Sequence, residues 1–141
     1  MILAVASTES PIEFALHNAT TDPTDEHRAL VVREFGGARL FIAVREPVQP
    51  VIDGAGRLLE SLTVPMLTGD GPHGQVLLVF TSEAELRKRS AQAHPLSLAG
   101  RTVRDIVARD GMAGVVLNPA GSWMFLASAD LATAAPDSSQ P

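Results

Sequence analysis

Thr81-Ser82 lies between an apolar run and a helical pattern, the place where many hydrolases hold a nucleophilic serine. A serine there needs a G-x-S-x-G turn to expose its Oγ, but Phe80 precedes the pair and Ala84 stands at the second glycine position. Ser82-Glu83-Ala84-Glu85 has instead the spacing of a capping box, in which the serine hydroxyl accepts from the backbone three residues on. Four histidines, His17, His27, His73 and His94, raise the question of a metal. None stands three or four residues from another, and there is no H-E-x-x-H; zinc requires three or four convergent ligands. His27, one turn from Asp22 and Asp25, comes nearest to such a group. Asp53-Gly54-Ala55-Gly56 lacks the third glycine of a dinucleotide fingerprint, and no Lys-Ser/Thr follows Gly69-Asp70-Gly71-Pro72-His73-Gly74. Both read as hairpin loops. No catalytic residue, metal ligand or cofactor site is expected, and the chain is expected not to be an enzyme.

Arg87, Lys88, Arg89, Arg101, Arg104 and Arg109 gather six of the eleven basic residues into one third of the chain. On a shared face they would suit an anion or a nucleic acid. Glu83, Glu85, Asp105 and Asp110 interleave with them, as on solvated helices with paired charges. The segment has no aromatic residues on which bases could stack, and the net charge of −5 opposes a general nucleic-acid binder. No nucleic-acid partner is expected.

The absence of cysteine excludes disulfides, thiolate metal sites and cysteine nucleophiles. A chain of 141 residues is large enough for one core, since a domain near this size buries roughly 68–70% of its unfolded surface. Ten arginines against one lysine, with abundant Ala, Gly and Pro, reflect the coding bias of a GC-rich bacterial genome. The N-terminal MILAVAS is too short and lacks the positive flank of a signal peptide, and no apolar run reaches the ~18 residues of a membrane span. A cytoplasmic protein without a membrane partner is expected.

These residues must be positioned by a series of short elements. Ser10-Pro11-Ile12-Glu13 combines a capping box with proline at N1, and Ile12, Ala15, Leu16 and Ala19 then form one apolar helix face. A second helix is expected from Asp22-Pro23, with Leu30, Val31 and Phe35 inward and Gly36-Gly37 as its stop. Arg39 to Val44 reads as a strand, and Asp53-Gly54-Ala55-Gly56 as a turn within Val51 to Leu59. Ser61 to Leu67 and Gln75 to Phe80 are expected as two strands of a hairpin, with the glycine-rich interval as a long loop between them. A short helix from Ser82 to about Ser90, a strand at Pro95 to Leu98, a helix from Gly100 to Asp110, and strands at Gly114 to Leu117 and Ser122 to Leu126 complete the pattern. Asp130 to Ala135 is expected to add a helical turn, and residues 136–141 a disordered tail after a single domain spanning residues 1–135. The strand–helix–strand–helix–strand order from Val76 to Leu117 requires a parallel pairing, and the flanking hairpins require antiparallel ones. The expected fold is α/β (α+β): a mixed, mostly antiparallel sheet of about five strands flanked by helices, with an N-terminal helical hairpin.

Val76 to Leu126 reads VLLVFTSEAELRKRS and then, from Pro95, PLSLAGRTVRDIVARDGMAGVVLNPAGSWMFL. With FTS at one end and GVVLNP at the other, this order resembles the N-terminal domain of the SseB family, a bacterial group. Pro11-Ile12-Glu13-Phe14-Ala15-Leu16, Asp22-Pro23 and Ala38-Arg39-Leu40-Phe41-Ile42 extend the likeness over residues 10–127. Some members carry a second, C-terminal domain, whereas this chain is expected to hold the first alone. The resemblance implies no reaction, cofactor or catalytic residue.

If the last crossover is parallel, Thr81 and Asn118 lie at the same end of the sheet, the end favoured for ligands in α/β folds. Thr81, Ser82 and Asn118 are therefore the candidate binding rim. Strand alternation sends one of Trp123 and Met124 outward, which makes Trp123 the candidate interface residue. The expected function is a non-enzymatic interaction or adaptor module with a protein partner; the alternative is a small-ligand binder using the rim.

Overall fold

Helix α1 (Pro11–Thr21) begins as its residues dictate: Ser10 Oγ accepts from the Glu13 N–H, and Glu13 Oε1 returns to the Ser10 N–H at 3.1 Å. Its predicted face of Ile12, Ala15, Leu16 and Ala19 is buried. Helix α2 (Asp25–Gly37) packs against α1 as the second arm of the helical hairpin. It starts two residues beyond the predicted Asp-Pro step, because Thr24 is the residue whose side chain accepts from His27 N. Gly36 and Gly37 form its last turn; neither adopts a positive φ, and the cap falls on Ala38. The computed structural model describes residues 10–60, 62, 64–121 and 123–133.

The remaining elements are β1 (Arg39–Val44), β2 (Thr68–Gly71), β3 (Gly74–Phe80), α3 (Glu83–Arg89), β4 (His94–Ala99), α4 (Gly100–Arg109), β5 (Gly114–Leu117), β6 (Met124–Ala127) and α5 (Ser128–Thr133). Among the described residues six strands form one mixed sheet in the order β4-β1-β3-β5-β6, with β2 added beside β3. Among the described residues only β3 and β5 run parallel, Val79 standing opposite Leu117, and every other pair is antiparallel. The parallel connection is not a single crossover helix: between β3 and β5 the chain runs through α3, visits the far edge as β4, and returns through α4.

One expectation is corrected in this sheet. The glycine-rich interval is not a long loop, since Thr68–Gly71 is itself the strand paired with Gly74–Leu77, and only Pro72-His73 form the turn. Glycine and aspartate are poor strand formers, but here the β3 ladder supplies the partner. Within the predicted first strand, Met66 makes only an isolated bridge to Val44, and Ser61 and Thr63 lie outside the described residues. The last strand starts two residues later than predicted. Ala134, Ala135 and the predicted tail also lie outside the described residues.

The two sheet faces are covered unequally. Against one, α1, α2, α4 and α5 bring Ile12, Leu16, Val31, Phe35, Ile106 and Leu131 onto Leu40, Ile42, Leu77 and Val79. Close approach there demands glycine: a Cβ on Gly100 would stand on the Phe35 carbonyl oxygen. Among the described residues α3 is the one helix on the other face, where its Leu86 packs on Ala43, Val76, Leu78 and Phe80 with Leu67 and Ala93 beside it, while Phe41, Val116 and Phe125 stay partly open. Alternation along each strand explains the split, because neighbouring residues enter opposite clusters.

Candidate functional site

The predicted rim forms where β3 and β5 end side by side. Thr81 and Asn118 follow the two strands directly, and parallel pairing brings them together. Asn118 adopts φ 49°, a left-handed conformation that asparagine tolerates better than most residues. This places its side chain beside Thr81. Asn118 Oδ1 accepts from the Thr81 N–H at 2.9 Å, and Asn118 Nδ2 donates to Thr81 Oγ1 at 3.0 Å. Thr81 Oγ1 in turn donates to Glu13 Oε2 at 3.0 Å, and Glu13 Oε1 accepts from Ser10. A chain of polar groups thus ties the start of α1 to the ends of two strands. Thr81 and Asn118 are 7% and 6% exposed, and such buried groups require partners of this kind.

Ser82 serves as the N-cap of α3, its Oγ accepting from Glu85 N at 3.1 Å. The reciprocal half of the predicted capping box does not form. Glu85 gives Oε2 to Lys88 Nζ at 2.8 Å, while Oε1 faces Gly121 and has no hydrogen-bond partner among the described residues.

A cleft of about 550 Å³ opens in front of this network, walled by Glu13, Arg33, Arg39, Thr81, Ser82 and Glu83 among others. Thr81 and Ser82 reach the cleft; Asn118 stands behind Thr81 and does not line it. Residue spacing led to Thr81, Ser82 and Asn118 but read Glu13 only as a helix cap. The Glu13–Thr81 contact spans 68 positions, and no local pattern signals it.

His27 Nδ1 lies 2.6 Å from the Asp22 carbonyl oxygen and 3.8 Å from Asp22 Oδ2, a contact local to the start of α2. Among the described residues no three His, Cys, Asp or Glu side chains converge as metal ligands would. The basic stretch divides between the two faces: Arg87 and Lys88 pair with Glu83 and Glu85 on α3, whereas Arg101, Arg104 and Arg109 lie on α4. Trp123 is 61% exposed; Met124 packs toward the main core and Phe125 toward the second cluster.

The family model of the SseB protein N-terminal domain matches residues 12–133, nearly the whole described chain. The chain belongs to the SseB family. The match spans α1 through α5, so the SseB domain includes the helical hairpin, the mixed sheet and the Thr81–Asn118 junction. No curated protein and no solved structure matches this SseB-family chain significantly. Among its described residues no helix is long and apolar enough to cross a membrane.

Proposed function

We propose that this SseB-family domain is a non-enzymatic interaction module of the bacterial cytoplasm that docks a protein partner on its less covered sheet face. One observation carries this reading. On that face Phe41, Val116 and Phe125 are only partly buried around the single short helix α3, and Trp123, which immediately precedes β6, is exposed. Continuing the alternation of β6 back by one residue puts Trp123 on the Phe125 side. Exposed aromatic residues at the margin of an apolar surface are typical anchors of protein interfaces.

Affinity capture from bacterial lysate, comparing the wild-type chain with Trp123→Arg, tests the reading. A partner should be retained in high salt, because apolar contacts are little screened, and should be lost with the variant. Recovery undiminished by Trp123→Arg, or no specific partner over repeated captures, would refute the proposal.

The cleft in front of Thr81 supports a second reading, a small-ligand binder, since Arg33, Arg39, Glu13 and Glu83 all line it. In this reading Thr81 and Ser82 form the rim and Asn118 positions Thr81 from behind. A metabolite thermal-shift screen should then yield a stabilising ligand, and Arg39→Gln should reduce its effect.

A further inference from the structure

Among the described residues β4 and β6 end the sheet path, and their outer edges differ in what they offer. On β6, Ser128 N donates to the Ala113 carbonyl, so by alternation Leu126 and Met124 bond toward β5 and Phe125 turns outward. That outward Phe125 carbonyl accepts from Arg28 Nη2 at 2.8 Å. A charged side chain thus closes this edge, a common guard against strand addition.

Strand β4 has no such guard. Its residues, HPLSLA, include no Asp, Glu, Lys or Arg, and Ser97 is exposed. The register fixes which backbone groups are free. Gly100 N donates to the Ala38 carbonyl, so Leu98, Leu96 and His94 are the residues that exchange bonds with β1. Pro95, Ser97 and Ala99 therefore turn their backbone groups outward. The Ala43 carbonyl, opposite Pro95, agrees: it accepts from Leu67 N on the far side of β1. Not all of these outward groups are available. Proline has no N–H, and the carbonyl of Ala99, the N-cap of α4, accepts the first bond of that helix. What remains is the Pro95 carbonyl, both groups of Ser97 and the Ala99 N–H.

We infer that β4 pairs antiparallel with β4 of a second copy of this chain, about a twofold axis at Ser97. In that register the two Ser97 residues exchange both of their backbone hydrogen bonds, and each Ala99 N–H donates to the opposite Pro95 carbonyl. The missing Pro95 N–H falls opposite the Ala99 carbonyl, which is already engaged. Every free group finds a partner and none is left over. Centring the pair on Pro95 sets two absent donors against each other, and centring it on Ala99 directs both donors at engaged carbonyls. An ordinary strand of another protein would bring an N–H to the engaged Ala99 carbonyl and leave it unmet. A second copy is therefore the occupant. The side chains fit the same register: half-buried Leu96 lies opposite Leu98 on the main-core side, and no like charges oppose each other. Such an isologous contact closes on itself as a dimer. It uses a sheet edge and does not rest on the proposed partner face.

Sedimentation velocity of the purified chain over about 1 to 500 µM tests the pairing. The mass should rise from 14.9 kDa toward twice that value, with a Kd of about 100 µM or tighter for so small an interface. Ser97→Pro removes an N–H that no bond within the monomer uses. It should weaken dimerisation by about tenfold or more, with an unchanged circular dichroism spectrum. Ser97→Cys gives a test that does not depend on the proline variant folding. The chain has no cysteine of its own, and residues paired across the axis stand about 5.5 Å apart at Cα, within disulfide range. Mild oxidation should yield a covalent dimer, whereas Asp70→Cys, exposed on β2, should stay monomeric. A monomeric mass at every concentration, a dimer unaffected by Ser97→Pro, or equal cross-linking through Asp70→Cys would overturn the inference.

Discussion

Asn118 and Thr81 are joined twice, the asparagine amide accepting from the threonine backbone at 2.9 Å and donating to its hydroxyl at 3.0 Å. Backbone hydrogen bonds add to the junction: Asn118 N donates to the Val79 carbonyl, and Gly121 N to the Asn118 carbonyl. The ends of the parallel pair are therefore held by one side chain, and Glu13 couples them to the first helix.

Asn118→Ala should destabilise the fold by about 2–4 kcal/mol, combining an unpaired buried N–H with a left-handed backbone that alanine disfavours. Asn118→Gly should cost less, because glycine relieves the backbone term alone. Urea denaturation of both variants checks the order. An equal loss would show that φ at position 118 carries no strain.

Gly100 and Gly37 should respond oppositely to alanine. A Cβ at Gly100 collides with the Phe35 carbonyl and should cost about 3 kcal/mol or more. Gly37, in the last turn of α2, has open space around it, and Gly37→Ala should stabilise by about 0.5–1 kcal/mol. Thermal melts of the two variants give the signs directly.

Asp53 links the 53–57 turn to pH. Hydrogen bonds from the backbone of Arg57 and then of Ala55 hold its carboxyl below the ordinary value of 3.8. The unfolded chain therefore binds the proton first, so the contribution is complete above the unfolded value and is lost as pH falls through the folded one. Asp53→Asn should flatten the acid limb of stability against pH. Chemical denaturation at a series of pH values from neutral into that limb measures the slope, and an unchanged slope would contradict the assignment.

Trp123→Ala should change stability by no more than about 0.5 kcal/mol, as expected for an exposed side chain. The single indole should be readily quenched by acrylamide in the free protein and protected when a partner docks. Strong protection in the free protein would contradict its 61% exposure.

The local elements were legible because they are written in short-range chemistry. Ser10, Pro11 and Glu13 specify a helix start within four residues, and RLFIAV and GVVL form strands where their β-branched and aromatic content indicated. Even the parallel pairing followed from element order alone. Strand β2 escapes a reading by propensity because Gly69, Asp70 and Gly71 are poor strand formers and the segment owes its extended form to pairing with β3.

The sequence by itself determined the Ser10 and Ser82 caps, the apolar faces and the family, all of which depend on residues a few positions apart. Only the tertiary structure decided which polar groups meet. Glu13 reaches Thr81 across 68 positions, and Asp105 reaches Leu58 across 47. Such contacts arise when packed helices and a paired sheet bring distant segments together, and periodicity along the chain carries no record of them. The same holds for charge: Arg57 joins Arg101 and Arg104 in one cleft, while Arg87 and Lys88, nearer to both in sequence, face the other side of the sheet.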